Sequence, residues 1–267
     1  MRPLQLRLLN ILTTFDQVCR ERGLRYYLMA GTLLGAVRHQ GFIPWDDDID
    51  VGMPRADYNL LIAHAQEWLP QNYEMVCAEN TPAYPFPFAK MQDAETTFIE
   101  RRGFKHVGGI YVDVFPLDGV PSGKIARKRQ FFQYKFWTKI LYFTCRDPHK
   151  HGHDTSSLIP LLCRKLFTPA AIQKRIRKIL TRYSFDQSVL IADYDDGIKG
   201  VMDKKILGNA TPLSFEGKQL LGIEKYDEYL TQKYGDYMQI PEQGKQRQHG
   251  FYYLSLGKPY REYKGKG

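Results

Sequence analysis

Cysteine is scarce in this chain of 267 residues: Cys19, Cys77, Cys145 and Cys163 are the four. They lie far apart, with no C-x-x-C pair and no histidine at zinc-finger spacing, which argues against a disulfide framework and a structural zinc site. Long apolar runs are absent as well. Nowhere do about 18 uncharged apolar residues follow one another, so no spanning helix is expected. Met1 to Leu12 carries two arginines but neither a continuous apolar stretch nor a small-residue cleavage site. No secretory leader is therefore expected, and the cytoplasm is the expected compartment. Internal repeats and low-complexity tracts are also missing. What is present is globular in composition, 43% hydrophobic and 25% charged, which excludes global disorder. The length suits one large domain, or one domain with an appended lobe. The 38 Lys and Arg against 29 Asp and Glu give a net charge of +9. An acidic partner follows: nucleic acid, a nucleotide or an anionic membrane surface.

Leu4, Leu8, Leu9, Ile11, Leu12, Phe15 and Val18 recur at helical spacing until Gly23, predicting an amphipathic helix over 4–22. A strand over Tyr26 to Met29 runs into Gly31-Thr32 and a helical stretch, Leu33 to Arg38. Ile49 to Met53 reads as a second strand, 55–69 as a helix ended by Pro70, and Thr81 to Pro87 as a Pro-rich loop. Further strands are expected at Phe88 to Met91, Thr97 to Arg101 and Ile110 to Phe115, with Gly108-Gly109 as a turn before the last. After Pro121 the texture changes to helical and basic. Short strands return over 189–223, a helix follows at about 224–234, and the tail from Pro241 is polar and aromatic. The expected class is α+β, a mixed-sheet core with flanking helices. Residues 1–121 and 184–267 would form the core, and 122–183 a basic helical insertion.

The densest chemistry is Asp46-Asp47-Asp48-Ile49-Asp50. Four carboxylates in five positions repel one another unless a counter-charge is present. Strand alternation places Asp48 and Asp50 on one face, with Ile49 and Val51 in the core. Paired carboxylates on a rigid strand suit Mg²⁺, which takes oxygen ligands and keeps waters for a phosphate-bearing substrate. A solvated turn is the plain alternative. Two features favour the metal: Gly31-Thr32 opens a helix directly after a strand, where a phosphate can be held, and Asp113 is a lone acid in the apolar strand Tyr111 to Phe115. A buried carboxylate should face a metal or a cation. Together these describe a nucleotidyltransferase-like site.

The run from Ala30 to Val51, AGTLLGAVRHQGFIPWDDDIDV, resembles the signature of the LicD family of phosphocholine transferases, which is related to the fukutin group and has a nucleotidyltransferase-like fold. The resemblance continues through Phe88-Ala89-Lys90, Gly109 to Gly119, Phe215-Glu216-Gly217 and Tyr234 to Met238. It covers most of residues 1–250 and is weakest over the basic insertion. The resemblance implies Mg²⁺-dependent transfer (Mn²⁺ being the other candidate) of phosphocholine from CDP-choline to a sugar hydroxyl on a cell-surface glycan precursor of teichoic acid or lipopolysaccharide type, releasing CMP. Carried over, Asp48 and Asp50 bind the metal, and Asp113 is the third acid, either a metal ligand or the base taking the acceptor proton. Gly31 and Thr32 hold the donor diphosphate, Arg38 and Lys90 offset charge on the leaving CMP, and Glu216 joins the donor site.

Each of these has a plainer reading. Arg38 and Lys90 are ordinary surface charges in one view, with Lys90 paired to Asp93; Glu216 is a turn residue. Trp45 reads as a core anchor, and Tyr84, Phe86 and Phe88 are alternatives to it for an aromatic box around a quaternary ammonium. Asp193, Asp195 and Asp196 read as a solvated turn. His149, His151 and His153 read as a solvated loop, and Arg247 and His249 as tail residues able to touch phosphate. The insertion mixes basic and aromatic residues at helical spacing, which fits a charged helical surface or peripheral contact with anionic lipid at the inner face of the cell membrane. A transferase of another phospho-alcohol or of a nucleotidyl group is the near alternative. A nucleic-acid-binding protein is disfavoured, because the acidic cluster would repel a phosphate backbone.

Overall fold

The computed structural model describes residues 1–100, 103, 104, 106–149, 155–246, 248 and 250–264. His151, His153, Arg247 and His249 lie outside the described residues. The first helix, α1 (Arg2–Glu21), turns Leu4, Leu8, Ile11, Leu12, Phe15 and Val18 inward, as its spacing predicts. A short strand β1 (Tyr27–Leu28), helix α2 (Ala30–His39), strand β2 (Asp50–Pro54) and helix α3 (Arg55–Trp68) follow. Next come β3 (Tyr73–Val76), β4 (Ala89–Glu100) and β5 (Gly108–Val120), then α4 (Lys124–Cys145), α5 (Leu158–Leu166) and α6 (Pro169–Leu180). Short strands β6 (Leu190–Ala192), β7 (Val201–Asp203), β8 (Thr211–Phe215) and β9 (Lys218–Gly222) lead to α7 (Tyr226–Tyr234) and β10 (Phe251–Ser255).

The strands form one ten-stranded mixed sheet with a path β10-β4-β5-β2-β1-β9-β8; β3 pairs with β4, and β6 bridges β5 and β7. The β2–β5 and β1–β9 pairs are parallel and the others antiparallel. This is the α+β mixed sheet with flanking helices expected above. The main core sits between the sheet and α1, α2 and α3, and includes Ile49 and Val51, both fully buried. A second apolar cluster joins Phe131, Tyr134 and Leu141 of α4 and Ile172, Ile176 and Ile179 of α6 to Ala192, Tyr194 and Val201.

Three local expectations are corrected. The two strands expected at Phe88 to Met91 and Thr97 to Arg101 are one strand, β4, interrupted by a register shift between Asp93 and Phe98. Gly108 and Gly109 are not a turn before β5 but its first two residues. At the shift the Asp93 carbonyl presses so close that a Cβ on Gly109 would lie 1.9 Å from it, so only glycine fits. The polar tail supplies β10, which extends the edge of β4 beyond β3. All four cysteines are free thiols, in keeping with their spacing.

Candidate active site

Three neighbouring strands bring the key charges into one row. Asp50 on β2 stands opposite Asp113 on β5, and Asp113 opposite Lys90 on β4. Residues in register on adjacent strands project from the same face. Asp48 does not share a strand with Asp50, because β2 begins only at Asp50. It belongs to an extended loop in which carboxylate oxygens of Asp46, Asp47 and Asp48 lie within 4.8 Å of one another. Buried Gln5 of α1 holds this loop by donating to the carbonyls of Ile43 (3.3 Å) and Asp46 (3.0 Å). Alternation is lost because successive acids cluster at a point instead of spreading over two faces.

The start of α2 lies against the same loop. A Cβ on Gly31 would come 3.0 Å from Asp46 Oδ2. Ala30 takes a left-handed φ of 45°, and its N–H donates to the Tyr229 hydroxyl (3.2 Å). Buried Thr32 accepts a 2.8 Å hydrogen bond from the Asp50 N–H through Oγ1. Thr32 is thus a positioning residue for β2, and Gly31 leaves room for the acidic loop.

Electrostatics ties the acids together. Burial, then the fields of Asp48 and Asp113, push the Asp50 carboxyl well above its ordinary range. Burial raises Asp113 to about 7 against the opposing pull of Lys90, with Glu100 and Asp48 adding to the rise. Such a concentration of hard oxygen donors fits a divalent cation such as Mg²⁺ or Mn²⁺, whose charge would favour the ionised carboxylates that burial disfavours. Asp193, expected in a solvated turn, is instead buried. Burial and the fields of Asp195 and Asp196 hold it high, and its own field reaches Asp50.

Lys90 is the buried counter-charge. Its ammonium sits 2.9 Å from Glu100 Oε1 and 3.1 Å from Asp113 Oδ1, and stands over the rings of Tyr111 (3.2 Å) and Phe86 (4.4 Å). It does not pair with Asp93, which is bound instead by Arg7 at 3.1 Å. Glu100 also accepts from the Tyr111 hydroxyl at 2.7 Å. Sequence reasoning missed Glu100; its signal was an acid in an otherwise apolar and β-branched strand run. A cleft of about 230 Å³ opens here, lined by Asp48, Asp113, Lys90, Glu100, Phe98 and Tyr111.

Other expected residues are engaged elsewhere. Arg38 donates to the carbonyls of Tyr237 (2.7 Å) and Gln239 (3.2 Å), tying the end of α2 to the segment after α7. Glu216 forms a two-point pair with Arg2 (3.0 and 2.6 Å) and accepts from the Phe42 N–H (3.2 Å). The hydrogen bonds from Arg2 hold its carboxyl below the usual range. Glu216 and Gly217, at φ 51° and 72°, make the two-residue turn of the β8–β9 hairpin. Trp45 packs half-buried on the main core, and Tyr84, Phe86 and Phe88 form a buried cluster with Phe115. The backbone N–H of exposed His149 donates to Asp147 Oδ1 (3.1 Å).

A mixed sheet that aligns acids from a loop and two parallel strands beside a helix start suits a nucleotidyltransferase-like transferase. The family description "LicD/FKTN/FKRP, nucleotidyltransferase domain" matches residues 23–148. The chain is 32% identical over 258 residues, 93% of its own length and 95% of the relative's, to a protein of Haemophilus influenzae named lipopolysaccharide cholinephosphotransferase LicD. The chain belongs to the LicD family of transferases. A shorter likeness, 53% over 36 residues, covers 14% of this chain and 7% of the human protein named ribitol 5-phosphate transferase FKRP. A Rickettsia prowazekii protein named only as uncharacterized is 41% identical over 66 residues, 25% of this chain and 23% of its own.

Proposed function

We propose that the chain transfers phosphocholine from CDP-choline to a sugar hydroxyl of a cell-surface glycan precursor, of lipopolysaccharide or teichoic acid type, and releases CMP. The observation that carries the reading is the row Asp50–Asp113–Lys90 beside the Asp46–Asp48 loop, in a chain alike over 93% of its length to a named cholinephosphotransferase. The acceptor oxygen bonds to the choline-bearing phosphorus, the bond from that phosphorus to the bridging diphosphate oxygen breaks, and CMP leaves with the electron pair. Asp113, raised to about 7, is matched to take the acceptor proton near neutral pH. Asp48 and Asp50, with Asp46 and Asp47 beside them, would hold Mg²⁺ or Mn²⁺. Bound there, the ion would offset the charge of the donor diphosphate. Lys90 fixes the orientation of Asp113.

Choline, as opposed to another alcohol, is favoured by the cleft wall. Phe98 lines the cleft and stands edge to face with Tyr111, 5.5 Å away; an aromatic face there suits a quaternary ammonium, while Tyr111 and Glu100 are engaged by Lys90. The partial likeness to a ribitol 5-phosphate transferase favours a second reading, transfer of another phospho-alcohol. A donor screen with Mg²⁺ and CDP-choline, CDP-ethanolamine, CDP-glycerol or CDP-ribitol separates them by slow CMP release. CDP-choline should be turned over fastest, and Phe98→Ala should raise its KM about fivefold or more. Preference for CDP-ribitol, or CTP-dependent release of diphosphate, would overturn the choline assignment.

A further inference from the structure

Charge and exposed apolar surface are unevenly distributed over this molecule. Helices α4, α5 and α6 carry twelve of the 38 Lys and Arg and none of the 29 Asp and Glu, leaving 26 basic and 29 acidic residues elsewhere. Apolar side chains are exposed on the same helices. On α5 only Pro160 and Cys163 turn inward, while Leu158, Ile159, Leu161, Leu162 and Leu166 are 43–64% exposed. On α4, Ile125, Phe132 and Phe136 are 86%, 70% and 48% exposed. Their spacing of seven and four residues lines them along one stripe, opposite buried Phe131, Tyr134 and Leu141. Lys128, Arg129 and Lys139 are exposed along that stripe. Exposed apolar surface marks an interaction site, and here the helices that carry it bear Lys and Arg but no Asp or Glu.

We propose that the α4–α5 face docks on an anionic lipid bilayer, with the leucines of α5 at the acyl–headgroup boundary and the lysines and arginines against the headgroups. Among the described residues no helix is long and apolar enough to cross a membrane, so the contact is interfacial. Charge complementarity selects the occupant: a bilayer bearing negative headgroups attracts this face, whereas a second copy would press one pair of basic helices onto another. The surface is joined directly to the chemistry, since only Pro121 to Gly123 separate α4 from β5, the strand of Asp113. Docking stands on exposure and charge, and it holds whichever group the cleft transfers.

The test is co-sedimentation of the full chain with vesicles of phosphatidylglycerol and phosphatidylcholine in equal parts, and of phosphatidylcholine alone. Partition should be at least about tenfold stronger on the anionic vesicles, each basic residue at the surface contributing about fivefold. It should fall by about tenfold between 0.1 and 0.5 M NaCl, as the Debye length shrinks. The paired change Leu158→Ser with Leu162→Ser should lower partition with no loss of Tm, because both side chains already face solvent. Should that pair disturb folding, Lys128→Gln with Arg129→Gln gives the decision through the anionic vesicles alone. Equal binding to both vesicle types, binding to neither, or a concentration-dependent dimer abolished by the leucine changes would overturn the proposal.

Discussion

Lys90→Met removes the buried ammonium of the cleft while keeping most of the stem's volume. Lys90 is 3% exposed and lies 2.9 Å from Glu100 and 3.1 Å from Asp113. At an effective permittivity of about 20, each contact amounts to about 5 kcal/mol of attraction before desolvation is subtracted. Removing one partner of a buried ion pair costs about 3–5 kcal/mol, and that is the loss expected near pH 8. The pH dependence follows from Asp113. Burial raises its folded-state carboxyl to about 7 even though Lys90 pulls it down, so the ammonium's removal lifts it further. A carboxyl raised on folding binds more protons in the folded state, and stability falls as pH climbs from the ordinary carboxylate range to the folded value. In the variant that fall continues above pH 7, so the loss relative to the parent is larger at pH 8 than at pH 6. Guanidinium unfolding followed by tryptophan fluorescence in EDTA at both pH values measures it. Adding Glu100→Gln should recover part of the loss. A loss below about 1 kcal/mol, or one equal at the two pH values, would refute the assignment of Lys90 as the counter-charge.

Asp50→Asn should abolish CMP release yet raise Tm in EDTA, because it relieves a carboxyl crowded by Asp48 and Asp113; a lower Tm with activity kept would contradict the site. Asp113→Asn should cost about 10²–10⁴-fold in kcat, read as CMP release. Mg²⁺ should raise Tm more at pH 8 than at pH 6, since protons compete for Asp50, whose carboxyl is held well above its ordinary range; calorimetry at the two pH values reads this. Thr32→Val leaves the Asp50 N–H without its acceptor and should cost about 1–3 kcal/mol, whereas Thr32→Ser should not, by urea unfolding. Glu216→Ala should lower Tm above pH 5 and leave kcat unchanged. Its carboxyl is held low by Arg2, so its stabilisation is present above the ordinary value and fades as pH falls through the folded one.

Where one face of an element is buried, the pattern was readable: the inward positions of α1, and Ile49 and Val51 beside the acids, lie where periodicity places them. The edge strand β10 was not readable: its residues Phe251 to Ser255 are largely aromatic and suit a strand, but they lie in a polar tail and are pinned by pairing with β4, far back along the chain. The bulge at Asp93 hid the unity of β4, since it interrupts alternation at the point where Gly109 lets two backbones meet. Within the site, Asp50 and Asp113 were identified by an acid recurring in apolar strand sequence. Asp193, Glu100 and Gln5 were hidden because their roles come from burial and from how the folded chain places their partners, which no local pattern shows. Arg38 and Glu216 show the converse: both lie in family motifs, and both hold local structure through backbone carbonyls, a hairpin turn and Arg2.

The most direct test of transfer itself supplies CDP-choline labelled in its methyl groups, Mg²⁺ and a lipid-linked glycan precursor fraction to the full chain. Label should move to the glycan with one CMP formed for each choline transferred, in the parent but not in Asp48→Asn. Label remaining on nucleotide, or equal transfer by Asp48→Asn, would contradict the account.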